Sequence, residues 1–286
     1  MVGHNNVTDD VIKANLEATM ARGYKPFAVG TPMERPVSIV GAGPSLSWTY
    51  KDIVGDMIAC NSAHDFLISK GIIPKYAMFW DAHSIIATLF TPHKDVSYIV
   101  ASRCHPDVFK KLDGFDVRVA HVLGDSVIEQ VLIEHGRMEP MIGGGSSSVT
   151  RATYLGAALG YRGEMHLFGI DSSCDEKTTH VIGSVVPQNT MKLRVCGKWF
   201  LTVPWMAMQA GDFKSIVPHL QNLGYRLTVH GTGLIPYCAT FMAGVKTPNI
   251  KVSLYEKIRR ELHMVILLFL TARNSPQLLG GSHAGV

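Results

Sequence analysis

Val37-Ser38-Ile39-Val40-Gly41-Ala42-Gly43-Pro44-Ser45-Leu46 decides the fold. Four residues of a buried strand run directly into a glycine turn. An open α/β sheet builds a ligand crevice in this way, at the carboxyl end of its first strand. Glycine lets the backbone come close to a bound group, and the amides that follow can face an anion. The stretch is not a dinucleotide fingerprint: Pro44 interrupts it, and Leu46 stands where the third glycine of G-x-G-x-x-G belongs. Further downstream, Met57 to Cys60 reads as a second strand ending at Asn61-Ser62, and Tyr76 to Trp80 as a third ending at Asp81-Ala82-His83. Parallel strands would bring these three polar ends to one edge. Taken singly, Asn61 also fits a helix cap and Asp81 a turn.

The 286 residues are 47% hydrophobic and 17% charged, the composition of a globular protein with a substantial core. A formal charge of +4, with the basic residues scattered, suits an anionic small ligand as well as nucleic acid and decides nothing. Nucleic acid is disfavoured, because no basic stripe interleaved with aromatics occurs. The five cysteines are far apart and form no C-x-x-C, which argues for free buried thiols in a reducing compartment. The opening residues carry no apolar secretory core, and Met264 to Leu270 is too short to span a bilayer, so a cytoplasmic protein is expected.

Thr8 is placed as the cap of a helix through Arg22, with Val11, Ile12, Leu16 and Met20 inward. Further strands are expected at 97–101, 115–120, 164–169 and 225–229. Met191 to Val203 reads as a hairpin turning at Gly197, and Pro204 opens a helix to about Leu223 with Trp205, Met208, Phe213 and Leu220 inward. Gly143-Gly144-Gly145-Ser146-Ser147-Ser148 precedes a helix. Glycines and hydroxyls at a helix N-terminus suit an anion, through free amides and a favourable dipole. Asp171 follows the 164–169 strand, and a polar insertion from Cys174 to Asn189 contains His180. His230-Gly231-Thr232-Gly233-Leu234 forms a second glycine loop. Ser253 is placed as the cap of a helix to Leu270, before a Gly/Ser-rich end.

The ordered set GAGPSL, Ala59-Cys60-Asn61-Ser62-Ala63, Gly143 to Ser147, and Ala157-Ala158-Leu159-Gly160-Tyr161 leading to Leu167-Phe168-Gly169-Ile170-Asp171 resembles the archaeal 6-hydroxymethylpterin diphosphokinase (MptE-like) family, in particular its phage and prophage members. It is also similar to the bacterial sialyltransferases that use CMP-sialic acid. The resemblance covers roughly residues 36 to 236. It implies a Rossmann-like transferase with a nucleotide or nucleotide-sugar donor and a small-molecule or glycan acceptor. In the pterin branch diphosphate passes from ATP to a hydroxymethyl group with Mg²⁺. The sialyltransferase-like branch transfers a sugar from CMP with a histidine base and no metal. Carried over, Gly41, Ala42, Gly43, Pro44 and Ser45 form the nucleotide-side loop, Asn61 and Ser62 contact the nucleotide, and Gly144, Gly145, Ser146 and Ser147 hold its phosphate. His180 or Asp171 then serves as base, and Asp81 is the candidate metal ligand.

The fold expected is α/β and Rossmann-like: a mostly parallel sheet with helices on both faces and an inserted β-hairpin. A helical lead-in (1–35) precedes the transferase domain (36–244), and a helical or disordered tail (245–286) follows. The leading functional expectation is (di)phosphoryl transfer from a nucleoside triphosphate to a hydroxyl. Sugar transfer from a CMP- or UDP-linked donor is the alternative. A non-catalytic nucleotide-binding accessory protein of phage origin, in the host cytoplasm, is a third. A homo-oligomer is compatible with all three.

Overall fold

The computed structural model describes residues 7–175, 178–182 and 189–251. In chain order the strands are β1 (Met33–Glu34), β2 (Val37–Val40), β3 (Asp56–Cys60), β4 (Tyr76–Phe79), β5 (Ser97–Ala101), β6 (Val117–Val122), β7 (Met141–Ile142), β8 (Tyr161–Arg162), β9 (Glu164–Phe168), β10 (Met191–Val195), β11 (Lys198–Thr202) and β12 (Arg226–Val229). The helices are α1 (Asp9–Arg22), α2 (Leu46–Thr49), α3 (Ala63–Ser69), α4 (Pro106–Lys111), α5 (Ser126–Glu134), α6 (Ser148–Ala158), α7 (Pro204–Asn222) and α8 (Leu234–Ala239).

Eight strands form one sheet in the order β12-β9-β2-β3-β4-β5-β6-β7, and every pairing is parallel. The chain winds outward from β2 to β7, then returns to place β9 and β12 on the other side of β2. The winding direction therefore reverses at β2, the position where such sheets open a crevice. All four residues of β2 are buried because both faces of the sheet are covered. Ile39, Ile58 and Met165 share one core with Ala152 and Leu155 of α6. Val40, Ala59 and Phe168 share a second with Ala63, Phe66 and Leu67 of α3.

The lead-in belongs to the main core. Ile12, Leu16 and Phe27 are buried in it, and Phe27 donates its amide to Val119 O at 2.7 Å. Val11, expected inward, is exposed instead. The hairpin β10–β11 forms as expected, with Val195 opposite Lys198 across the turn. On α7 the inward residues are Met206, Phe213, Ile216, Val217 and Leu220. Trp205 and Met208 were expected among them but are 47% and 48% exposed, since the face they occupy turns to the crevice. All five cysteines are free. Cys60 and Cys104 are buried, whereas Cys196 lies exposed at the hairpin turn. The helix expected from Ser253 and the tail beyond it lie outside the described residues. Among the described residues no helix is long and apolar enough to cross a membrane.

Histidines are built into the core as neutral groups. His230 stacks on Phe168 at a centroid distance of 4.0 Å, and its Nε2 lies 3.3 Å from His166 Nδ1. Burial, and then the neighbouring His166, hold the pKa of His230 down at about 4. Burial also lowers the pKa values of His64, His121 and His166. The unfolded chain, with histidines near 6.5, thus binds more protons than the native chain at mildly acidic pH. Stability should fall as pH drops from 6.5 through about 4. Urea unfolding across that range would show the slope, and His230→Gln should flatten it.

Candidate active site

Three elements meet at the carboxyl edge of β2, β3, β4 and β9. The first is the GAGPS turn, which is held by packing. Gly41 donates its amide to Phe168 O, and Gly43 donates to Gly169 O, each at 2.8 Å. A Cβ on Gly41 would lie 2.6 Å from Gly169 O; one on Gly43 would lie 2.7 Å from the same oxygen and 2.5 Å from Asp171 Oδ2. Glycine is required here because the turn after β2 crosses the turn after β9 backbone to backbone. Ser45 donates its amide to Asp171 Oδ2 at 2.7 Å.

Asp171 is 3% exposed, and its Oδ1 has no hydrogen-bond partner. Burial pushes its pKa up, while the Ser45 amide pulls the other way. A carboxylate committed to Ser45 and shut from solvent staples two loops together. It also forms part of the cavity wall.

The second element is the N-terminus of α6. Ser147 and Thr150 close a capping box: Ser147 Oγ accepts the Thr150 amide at 3.1 Å, and the Ser147 amide donates to Thr150 Oγ1 at 3.2 Å. Ser146 donates both its amide and its hydroxyl to Asp212 Oδ2 on α7, the amide at 2.8 Å. Gly144 and Gly145 have φ of 111° and 82° and pack against Tyr154 and Asp212, outside the cavity lining. The sequence places phosphate on residues 144–147, yet these shape the loop or are already bonded. Among the described residues of this loop, Ser148 and Val149 line the cavity with their amides uncommitted, and neither was expected as a phosphate contact. They are the first two amides of the helix, where the dipole favours an anion. Ser148 Oγ accepts from Asn61 Nδ2 at 3.3 Å.

Asn61 supplies the third wall. It ends β3 with φ of 50°, a left-handed conformation, and its Oδ1 is buried without a partner. It does not cap α3, since the cap position is Ser62. Asp81 accepts the His83 amide at 3.0 Å, which accounts for one carboxylate oxygen as a turn contact. Among the described residues no three His, Cys, Asp or Glu side chains come together as a metal cluster.

These elements enclose a cavity of about 620 Å³, within the size range of small-ligand sites. Ala42, Gly43, Asn61, Ser62, Asp81, Asp171 and Ser146 to Val149 line it, whereas Gly41, Pro44 and Ser45 stand behind its wall. His180 lines it too. Its loop is pinned on the glycine turn by the Val181 amide, which donates to Ala42 O at 2.8 Å. His180 Nδ1 lies 2.9 Å from Thr179 Oγ1, and burial lowers its pKa. The tautomer that donates Nδ1–H to Thr179 leaves Nε2 as the basic nitrogen. Thus Gly43, Asn61 and His180, 137 positions apart in sequence from first to last, share one cavity. Trp205, Met208 and Gln209 on its α7 side were not anticipated as site residues.

A parallel sheet whose winding reverses at β2, with this cavity at the reversal, defines the Rossmann-like class of α/β folds. Within that class the chain belongs to the family described as 6-hydroxymethylpterin diphosphokinase MptE-like, whose family model matches residues 12–177. The match begins inside α1, so the lead-in is part of the family's fold. The MAf glycosyltransferase from Magnetospirillum magneticum AMB-1 is a structural neighbour, with a TM-score of 0.63 at 16% identity. The likeness covers 91% of this chain and 42% of that one, so the present chain spans under half of its neighbour's length. At that identity the likeness is one of fold. No curated protein matches the sequence.

Proposed function

We propose that the protein is a transferase that takes its group from a nucleotide-activated donor and passes it to an acceptor hydroxyl. The observation that carries this reading is the convergence of the Ser148 and Val149 amides, the unpartnered amide oxygen of Asn61, and His180 on one cavity. The helix amides hold the donor phosphate, and Asn61 contacts the nucleoside. His180 Nε2 takes the proton of the attacking hydroxyl. As the acceptor oxygen bonds to the transferred group, the bond to the nucleotide phosphate breaks and the nucleotide leaves as an anion. Positioning and fixed dipoles supply most of the rate.

The family's description supports (di)phosphoryl transfer from a nucleoside triphosphate. Lowering of the His180 pKa, which keeps a base neutral at physiological pH, supports sugar transfer from a CMP- or UDP-linked donor equally well. For a divalent cation the fitting ligand is Asp81, which keeps one carboxylate oxygen beyond its turn contact; Mg²⁺ commonly binds through one or two carboxylates plus phosphate. Asp171 does not fit, being buried and committed to Ser45. When bound, the cation would neutralise phosphate charge.

A thermal-shift panel of ATP, GTP, CTP, CMP, a CMP-sugar and a UDP-sugar, each with and without Mg²⁺, tests the reading. A ligand at a hundred times its Kd should stabilise the protein by about 2.7 kcal/mol. An Mg²⁺-dependent response to a triphosphate supports phosphoryl transfer, and a metal-independent response to CMP or a CMP-sugar supports sugar transfer. A flat panel from folded protein sinks the nucleotide reading.

A further inference from the structure

The cavity that would hold a donor phosphate contains no Lys or Arg among its described lining residues. Its carboxyl side chains are Asp81 and Asp171, and His180 supplies an imidazole. A third carboxylate stands at the anion-binding turn itself: Asp212 Oδ2 accepts the Ser146 amide and the Ser146 hydroxyl, two residues before the open Ser148 amide. Arg151, the cation on the same turn of α6, donates to the carbonyls of Ile142 and Leu123 and does not line the cavity. Gly145 lets this arrangement form, because a Cβ there would sit 3.1 Å from Asp212 Cβ. Sites that take polyphosphates surround them with cations and open amides. Here an amide and a hydroxyl that could face phosphate are given to a carboxylate.

We propose that Asp212 sets the donor class by charge. Resting on the proposed nucleotide-dependent transfer, the inference is that the site takes a phosphate with little uncompensated negative charge. Two sources meet this description: the singly charged phosphodiester of a nucleoside monophosphate sugar, and a polyphosphate already complexed by a divalent cation. Asp212 is a specificity-determining residue that touches the donor site through Ser146. Asp212 and Ser146 lie at the exposed rim of the site, and fixed negative charge there repels a free dianion more than a monoanion, an effect that added salt weakens.

Asp212→Asn retains an acceptor for Ser146 and removes the charge. Titration calorimetry of both proteins would use a CMP-sugar, CMP, pyrophosphate, and ATP with and without Mg²⁺. The variant should bind metal-free pyrophosphate, CMP and ATP at least tenfold more tightly than the parent, while its Kd for the CMP-sugar changes less than threefold. In the parent, metal-independent binding of the CMP-sugar identifies the phosphodiester source, and binding of ATP only with Mg²⁺ identifies the complexed one. An equal shift for every probe, or a uniform loss matching that of Asp212→Ala, overturns the charge role and leaves the nucleotide reading standing. Tighter pyrophosphate binding by the variant, with no nucleotide bound by either protein, upholds the charge role and removes the nucleotide reading. Failure of both proteins to bind any probe overturns both.

Discussion

Gly43→Val should destabilise the protein by about 3–5 kcal/mol, combining overpacking at a buried turn with loss of the hydrogen bond to a buried carboxylate. The first added carbon would lie 2.5 Å from Asp171 Oδ2 and 2.7 Å from Gly169 O, and both neighbours are tied into the same crossing of turns. Gly169 is itself held against Gly41, where a Cβ on Gly169 would clash with the Gly41 carbonyl oxygen. Asp171 is held by Ser45. Urea unfolding measures the loss directly. Gly156→Ala is the matched control: its Cβ would meet only side-chain carbons at 3.5 Å and beyond, and a helical Gly→Ala exchange gains up to about 1 kcal/mol. Should Gly43→Val unfold at the parent's midpoint, the crossing of the two turns is not built as described. Sequence alone suggests that this glycine makes room for a ligand. The structure assigns the room to Gly169 and Asp171, so lost binding in the variant would report a deformed site.

His180→Ala should reduce donor turnover by about 10²–10⁴-fold, the usual contribution of a positioned general base. Slow transfer to water serves as the assay where the acceptor is unknown. Because burial lowers the His180 pKa, the acid limb of the rate profile should lie below the ordinary histidine value of 6.5. The base is neutral above that limb and protonated below it, so activity falls as pH falls. The same shift makes His180 a source of native stability that is lost on acidification, because the unfolded chain protonates first. Removing the imidazole should therefore abolish the limb while reducing the acid sensitivity of unfolding. If turnover and its pH profile are unchanged in the variant, His180 is not the base. If the parent binds nucleotide and turns nothing over, the accessory reading takes its place.

Local signals carried much of the architecture. The β-branched run before Gly41 marked a strand, and its glycines marked the turn. Polar residues after two further short strands come to one edge as expected, since parallel strands share their carboxyl ends. The Gly197 hairpin was legible from alternation about a single turn residue. In contrast, α5 and β7 went unread between 123 and 142: β7 has only two residues, whereas α5 is bracketed by Asp125 at its N-cap and Gly136 past its last turn, signals that were present in the sequence. The pairing of β1 with β8 joins two-residue segments distant in sequence, and no local period encodes it.

What the sequence by itself determined is the order of the main strands, the parallel class of the sheet and the polar strand ends that share its carboxyl edge, all of which follow from patterns a few residues long. Only the tertiary structure decided how the site is wired. Asp171 and Ser45 lie 126 positions apart and meet because β2 and β9 are adjacent. Asp212 reaches Ser146 across 66 positions and moves the open anion donors onward to Ser148 and Val149. Trp205 and Met208 face the cavity because α7 packs through Met206, Phe213 and Ile216. Such contacts depend on which surfaces adjoin after the chain has folded, and residue type and spacing do not specify that.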